Sequence, residues 1–117
     1  MEKKYVVPLS KAVLKDMHGG SGTARILIDE EISGAKNFTL MVNTLKAGAE
    51  SPEHKHEAES GWYFLSGTGT IYIDRKPFKI GPQVAAFAPG NALHKLEAGP
   101  GEDLTYVIIY APLGASK

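Results

Sequence analysis

Short apolar runs separated by turn residues are the feature that most limits how this chain can fold. Hydrophobic residues recur with the two-residue period of β-strands or in brief β-branched and aromatic runs, each bounded by Gly, Pro, Asp or Asn. The predicted strands are residues 4–7, 24–28, 38–45, 61–65, 70–73, 77–80, 84–88, 93–97 and 104–110. Residues 10–17 carry the competing helical pattern, which is too short to form a stable helix alone. The sequence therefore predicts an all-β sandwich or small barrel, because an open sheet of this size would expose its edges.

Length and composition narrow the classes of function. The chain has 117 residues and neither an internal repeat nor a linker, so we expect one domain over residues 1–117. Thirteen basic and 13 acidic residues cancel, which argues against nucleic acid or a membrane surface as a partner. Cysteine is absent, which excludes disulfide scaffolds, iron–sulfur clusters and cysteine nucleophiles. Because the first residues do not resemble a signal peptide, the expected location is cytoplasmic.

The histidines are the candidate chemical site. His54 and His56 are two residues apart, so on an extended backbone both side chains point to the same face. His94 follows a turn at residues 89–91 and begins a predicted strand that can bring it opposite the pair. Neutral imidazoles directed at one point are typical ligands of first-row transition metals. The alternative is a pair of solvated histidines in a polar loop.

Two sequence motifs resemble those of the cupin family. Gly48, His54 and His56, Ser60 and Gly67 have the spacing of the first cupin motif, and residues 81–94 resemble the second motif, which ends in the third histidine. Residues 67–73 are similar to the central hairpin of the family, and the whole resemblance covers about residues 38–110. It implies a single-domain cupin, an RmlC-like jelly-roll β-barrel, with a metal bound inside the barrel mouth.

By this resemblance, His54, His56 and His94 would bind a divalent transition metal. Iron, manganese, nickel, copper and zinc all accept imidazole ligands, so the residues do not select one of these metals. Most cupins supply a carboxylate ligand where this chain has Ser60, with Glu59 just before it. Since Glu59 has the opposite strand parity to the histidines, we favour an all-histidine site and keep Glu59 as the alternative fourth ligand. A further departure is one extra residue between Gly90 and His94 compared with the commonest cupin pattern.

Three classes of function follow from these residues and the resemblance. Three neutral imidazoles leave a divalent ion its full charge and open positions, which suits a dioxygenase acting on a small enolate, catecholate or carboxylate. The second class is a metal-dependent isomerase or lyase, in which a Tyr or Glu moves the proton. The third is a small-molecule-binding or sensing barrel without turnover. The resemblance also implies a homodimer, and the N-terminal strands within residues 4–28 are the expected interface because their edges need partners.

Several other residues have two interpretations. Trp62 and Phe64 share parity with the histidine pair and either line the pocket or pack in the core. Ser60 either fills space or binds a metal-bound water. His18 is assigned to a loop with the glycine-rich turn that follows it. A tyrosine could orient a substrate or donate a proton to it. Spacing does not select one among the candidates, which are Tyr63, Tyr72, Tyr106 and Tyr110. The acidic residues around the histidines form a solvated rim or supply a carboxylate that orients an imidazole, namely Glu50, Glu53, Glu57 and Glu59.

Overall fold

In the part of the chain that the structure describes, nine antiparallel strands form two sheets. The computed structural model describes residues 2–17 and 19–112, so His18 lies outside the described residues, whereas the glycine-rich turn predicted after it is present at residues 19–21. The elements are a 3₁₀ turn (Leu9–Lys11), β1 (Val13–Met17), β2 (Gly22–Ile28), α1 (Glu30–Ser33), β3 (Thr39–Leu45), β4 (Glu59–Ser66), β5 (Gly69–Ile73), β6 (Lys76–Ile80), β7 (Ala85–Ala88), β8 (His94–Ala98) and β9 (Leu104–Ala111). Among the described residues, no helix is long and apolar enough to cross a membrane.

The two sheets pack face to face as a jelly roll. One sheet has six strands in the order β1-β2-β3-β9-β4-β7, and the other has three in the order β6-β5-β8. The core draws large side chains from both sheets, including Phe64 and Leu104 from the first and Ile71 and Leu96 from the second. Alternation along each strand turns these side chains inward, as the two-residue period requires. The all-β jelly-roll prediction is confirmed.

The N-terminal region differs from the prediction. Residues 4–7 are not a strand: Tyr5 and Val6 are 90% and 87% exposed, and residues 4–7 pair with no strand of the described part of the chain. Residues 10–17 do not form a helix, because residues 13–17 pair with β2 as its antiparallel neighbour. Sheet pairing here outweighs a weak helical pattern, since a helix this short has no stability of its own.

The short helix α1 was not predicted from the sequence. Asp29 caps its N-terminus, since the Ile32 backbone N–H donates to the Asp29 carboxylate at 2.7 Å. Gly34 ends it in the left-handed conformation with φ of 75°. Both are standard helix signals, but four residues are too few to show a helical hydrophobic period.

A tight turn at Gly67 connects β4 to β5. Gly67 has φ of 84°, and a Cβ atom at this position would collide with the Asp103 carbonyl oxygen. Glycine is therefore required both by the backbone conformation and by the close approach of the neighbouring chain. The turn sends β5 into the three-stranded sheet, where it pairs with β8, the strand that carries His94.

Candidate metal centre

The histidines are held by a backbone bridge next to β8. Residues 51–58 form no regular strand, and none was predicted there. Instead, His54 and His94 form an isolated antiparallel bridge, in which each backbone N–H donates to the carbonyl oxygen of the other, at 3.1 and 2.9 Å. The Asn91 N–H donates to the His56 carbonyl oxygen at 2.7 Å. These bonds bring the segment of His54 and His56 against the strand of His94.

Ser51 anchors the same segment one step further along β8. Its backbone N–H donates to the Leu96 carbonyl oxygen at 2.8 Å, and its hydroxyl accepts from the Leu96 N–H, also at 2.8 Å. Ser51 is 6% exposed, so these bonds form away from water. Residues 51–56 are thus hydrogen-bonded to β8 at two points, Ser51 and His54.

The three histidines converge on one point. One ring nitrogen from each of His54, His56 and His94 lies within 4.8 Å of the other two. The ring centroids are 4.4 Å apart for His54 and His94 and 4.9 Å apart for His56 and His94. His94 is buried, His56 is half-buried and His54 is exposed. The structure therefore brings together the three histidines that the spacing and the cupin resemblance selected, with burial decreasing from His94 to His54.

Backbone carbonyl groups fix the tautomer of all three rings. The Nδ1 atoms of His54, His56 and His94 lie 2.9, 3.0 and 3.1 Å from the carbonyl oxygens of Pro52, Ala58 and Ala92. A carbonyl oxygen only accepts hydrogen bonds, so each Nδ1 carries the proton and donates. In a neutral ring, the lone pair is then on Nε2, which is the tautomer that a metal ligand needs. The donor set therefore fits a divalent transition metal such as iron, manganese, nickel, copper or zinc.

Burial keeps His94 neutral. It lowers the pKa of His94 from 6.5 to about 4, because desolvation disfavours the imidazolium; the hydrogen bond to Ala92 opposes this effect, and the nearby His54 and His56 add to it. Trp62 packs on the same ring with its centroid 5.5 Å away. An imidazole that stays neutral well below neutral pH keeps its lone pair available for a metal.

Glu59 lies away from the histidines. It is exposed on β4 with the same parity as Gly61, and it lines an outer groove with Phe38 and Phe87. Ser60 and Trp62 have the opposite parity and are buried. This placement favours the all-histidine interpretation over Glu59 as a fourth ligand. The Ser60 hydroxyl is buried without a hydrogen-bond partner within residues 2–17 and 19–112.

Two of the four acidic residues around the histidines contact basic side chains. Glu53 lies 3.6 Å from the Arg75 guanidinium, and Glu50 lies 3.8 Å from the Lys95 ammonium. Because backbone carbonyls accept from every Nδ1, the structure gives the carboxylates no imidazole-orienting role. Of the two interpretations of the acidic cluster, a solvated rim fits these contacts.

A cavity of about 400 Å³ opens beside the histidines. Trp62 lines it and also belongs to the buried core, so both interpretations apply to this residue, whereas Phe64 is fully buried in the core. The structure also selects among the tyrosines: Tyr106 and Tyr110 line the cavity, Tyr63 is exposed elsewhere, and Tyr72 lies under the Lys95 ammonium. The Tyr110 ring centroid is 6.2 Å from that of His56. Burial raises the pKa of Tyr106 to about 12, an effect that a hydrogen bond with the Asn43 side chain partly offsets.

The other residues of the cavity wall were not predicted from the sequence. They come from the inner faces of β1, β2 and β3 and from the segment before the histidines, and they include Lys15, Ala24, Ile26, Met41, Asn43 and Ser51. One signal was present for Asn43, a polar residue at an inward position of a strand that is otherwise apolar or β-branched. The others differ little from ordinary core or edge residues.

Known proteins resemble this chain in sequence and fold. The dimethylsulfoniopropionate lyase DddW of Ruegeria pomeroyi is 31% identical over 94 residues, covering 80% of this chain and 60% of the lyase. Auxin-binding protein 1 of Arabidopsis thaliana is 27% identical over 105 residues, covering 81% of this chain and 53% of that protein. The structure of the polyketide cyclase RemF from Streptomyces resistomycificus superposes with a TM-score of 0.78 at 25% identity, covering 95% of this chain and 80% of the cyclase.

The matches cover part of each curated relative and more than half of this chain. The chain spans between 53% and 60% of the length of the curated relatives it matches. The family model described as "Cupin domain" matches residues 41–110, a stretch that contains both motifs and all three clustered histidines. Because that match covers more than half of the 117 residues, the chain belongs to the cupin domain family.

Proposed function

We propose that this chain is a metal-dependent enzyme of the lyase, isomerase or cyclase type, acting on a small molecule with a carbonyl or carboxylate group. The observation that carries the proposal is the set of Nδ1–H donations to backbone carbonyls, which leaves the Nε2 lone pairs of His54, His56 and His94 free at one point beside the cavity. These three Nε2 atoms would hold a divalent ion, which would supply Lewis-acid polarisation of a carbonyl or carboxylate oxygen.

The residues of this chain supply binding and proton transfer. His54, His56 and His94 hold the ion, and Trp62, Met41 and Ile108 give the cavity apolar walls that exclude water. Tyr110 lies beside His56 and is assigned the proton transfer next to the polarised group. Tyr106 keeps its proton at neutral pH and acts as a hydrogen-bonding group rather than a base. A lyase and a cyclase among the similar proteins support this class of reaction.

A dioxygenase is the second candidate. It is favoured by the all-histidine donor set, because three neutral ligands leave the ion its full charge and open positions for an anionic substrate and oxygen. The same residues would bind the metal in both cases. The two candidates differ in whether oxygen is consumed.

The test combines metal analysis with two assays. The purified protein is loaded in turn with iron(II), manganese, nickel, copper and zinc, and its metal content is measured by plasma mass spectrometry. A panel of carbonyl and carboxylate compounds is then incubated in deuterium oxide, where metal-dependent loss of α-proton NMR signals reports proton transfer. Exchange that Tyr110→Phe abolishes without loss of metal supports the lyase, isomerase or cyclase class.

Two other outcomes would change the assigned class of function. Substrate-dependent oxygen uptake with iron, without proton exchange, would favour the dioxygenase. Metal-loaded protein that binds panel members without exchange or oxygen uptake would contradict both enzyme proposals and leave the ligand-binding or sensing barrel. Assignment of residues 1–117 as a single cupin domain, the cytoplasmic location and the homodimer stay predictions beside this proposal.

A further inference from the structure

A second polar site lies on the wall of the same cavity, at Asn43 and Tyr106. The two residues are direct partners on the adjacent strands β3 and β9, and both line the cavity. They are 4% and 2% exposed. Their neighbours along the inner faces of these strands, Met41 and Ile108, are apolar and are paired with each other. An amide and a phenol thus stand together on an otherwise apolar wall.

The hydrogen bonding of this pair is incomplete. The Asn43 and Tyr106 side chains are hydrogen-bonded to each other. The Asn43 Oδ1 atom is buried and accepts no hydrogen bond within the described residues 2–17 and 19–112. The bond to the phenol oxygen therefore comes from the Asn43 amide nitrogen, which donates. The Tyr106 hydroxyl, which remains protonated at neutral pH, keeps its own O–H to donate.

A small side chain stands beside Asn43 on the cavity wall. On β2 the residue paired with Asn43 is Ala24, whose small side chain also lines the cavity. A buried acceptor without a donor costs free energy, and folded proteins retain few such groups. Asn43 lines the cavity, and its buried, unpaired amide oxygen is explained if the missing donor comes from a molecule bound there.

We propose that Asn43 and Tyr106 form a subsite that recognises a hydroxyl group of the ligand. The ligand hydroxyl donates to Asn43 Oδ1 and accepts from the Tyr106 O–H, and a hydroxyl is the common small group that does both. This inference rests on the proposed function for the other end of the ligand, whose carbonyl or carboxylate oxygen binds at the histidines. The substrate class is then a small hydroxylated carboxylate or carbonyl compound.

The test uses matched probes that differ by one hydroxyl. Zinc-loaded protein is titrated by calorimetry with benzoate, meta-hydroxybenzoate and para-hydroxybenzoate, whose hydroxyls cannot chelate the same ion as their carboxylate. We expect at least one hydroxybenzoate to bind about tenfold more tightly than benzoate. Asn43→Leu and Tyr106→Phe should each remove this preference and leave the affinity for benzoate unchanged. Tyr63→Phe, which removes the hydroxyl of an exposed tyrosine outside the cavity, is the matched control and should keep the preference.

Several results would overturn the subsite. They are equal affinities for the three probes, no measurable binding of any probe, and a preference that survives in both variants. Zinc content and melting temperature separate a binding role from a structural one. The double variant Asn43→Leu/Tyr106→Phe should keep its zinc and melt no lower than the wild type, because both polar partners are removed together. A lower melting temperature or lost zinc would mean that the pair is structural.

Failure of the subsite is distinguishable from failure of the metal proposal. If the wild-type protein binds zinc without a hydroxyl preference, the subsite is wrong and the metal centre stands. If the wild-type protein binds no metal but still prefers a hydroxybenzoate, and Asn43→Leu removes that preference, the subsite stands and the proposed function is wrong.

Discussion

His54 and His94 face each other across an isolated antiparallel bridge, with their backbones joined by two hydrogen bonds and their ring centroids 4.4 Å apart. One histidine comes from an irregular segment and the other from the first residue of β8. Their spacing is therefore set by backbone bonds rather than by side-chain packing. Since each ring is also fixed through Nδ1, little ordering remains to be done when a metal binds.

We predict that metal binding needs all three histidines. His54→Ala, His56→Ala and His94→Ala should each reduce metal content strongly, because two imidazoles hold a first-row ion much more weakly than three. In the wild type, added metal should raise the melting temperature, since the ion binds the folded state. Metal content is measured by plasma mass spectrometry on protein purified without nickel affinity resin.

His18→Ala is the matched control for these variants. Sequence analysis assigns His18 to a loop, so its removal should leave metal content unchanged. If the wild type holds no metal, and its melting temperature does not respond to any of the divalent ions, the metal centre is wrong.

We predict that Glu59→Gln leaves metal content and metal-dependent stabilisation unchanged. Glu59 is exposed on the outer face of β4, whereas the histidines line the cavity. The amide keeps the size of the side chain and removes only the charge and the ligand strength of the carboxylate. A clear loss of metal affinity would show that Glu59 completes the coordination sphere and that β4 rearranges on metal binding.

The strands and the histidine cluster were predictable because they rest on local patterns. Residues 38–45 and 104–110 alternate strongly, and the structure has strands at residues 39–45 and 104–111. Residues 4–7 carry the same kind of pattern and form no strand, because a strand also needs a partner edge, which the local sequence does not encode. His54, His56 and His94 were predicted from their spacing and from the family resemblance. Both signals depend only on the positions of residues in the sequence, so neither needs the folded structure.

What the sequence did not provide was the cavity wall. Asn43 and Tyr106 lie 63 positions apart and become neighbours only through the pairing of β3 with β9. Which tyrosine faces the histidines is likewise a question of strand register, and a shift of one residue would turn Tyr106 and Tyr110 outward together. The carbonyl groups that accept the three Nδ1 protons are positioned by the local backbone conformation, which no residue pattern predicts.

We predict that the metal-free protein loses stability as the pH falls from 6.5 to about 4. His94 has a pKa of about 4 when folded and about 6.5 in the unfolded chain, so the unfolded state binds a proton first and gains population over this interval. Below pH 4 both states are protonated at this site and its contribution no longer changes. The free energy of unfolding is measured by urea denaturation across the interval.

His94→Gln tests whether this histidine is responsible. The variant removes the titrating group, so the stability of the metal-free protein should fall less steeply over the same interval. An equally steep fall in the variant would assign the acid sensitivity to other groups.

We predict that Ser51→Ala destabilises the protein by about 1–3 kcal/mol, because it leaves the buried Leu96 N–H without an acceptor. The same change loosens the segment that carries His54 and His56, so metal affinity should also fall. Urea denaturation and metal titration measure the two effects. Ser66→Ala, at an exposed position of β4, is the control and should change neither. Unchanged stability in Ser51→Ala would show that water replaces the lost acceptor.

We predict that the protein is a homodimer with the N-terminal edge at the interface. β1 is the outer strand of the six-stranded sheet, so one side of its backbone has no partner strand among the described residues. The apolar residues around this edge are unusually exposed, with Val13 at 48% and Leu14 at 66%. An open edge flanked by exposed apolar side chains is a surface that a second copy covers well.

Leu14→Glu should shift the protein from dimer to monomer in sedimentation equilibrium, since the carboxylate would be buried without a partner in the assembly. Ile109→Glu, at a 39% exposed position in the middle of the same sheet, tests the alternative interface through the outer sheet face. A dimer that withstands Leu14→Glu and dissociates in Ile109→Glu would move the interface from the edge to that face. A wild type that sediments as a monomer at all concentrations would contradict the homodimer itself.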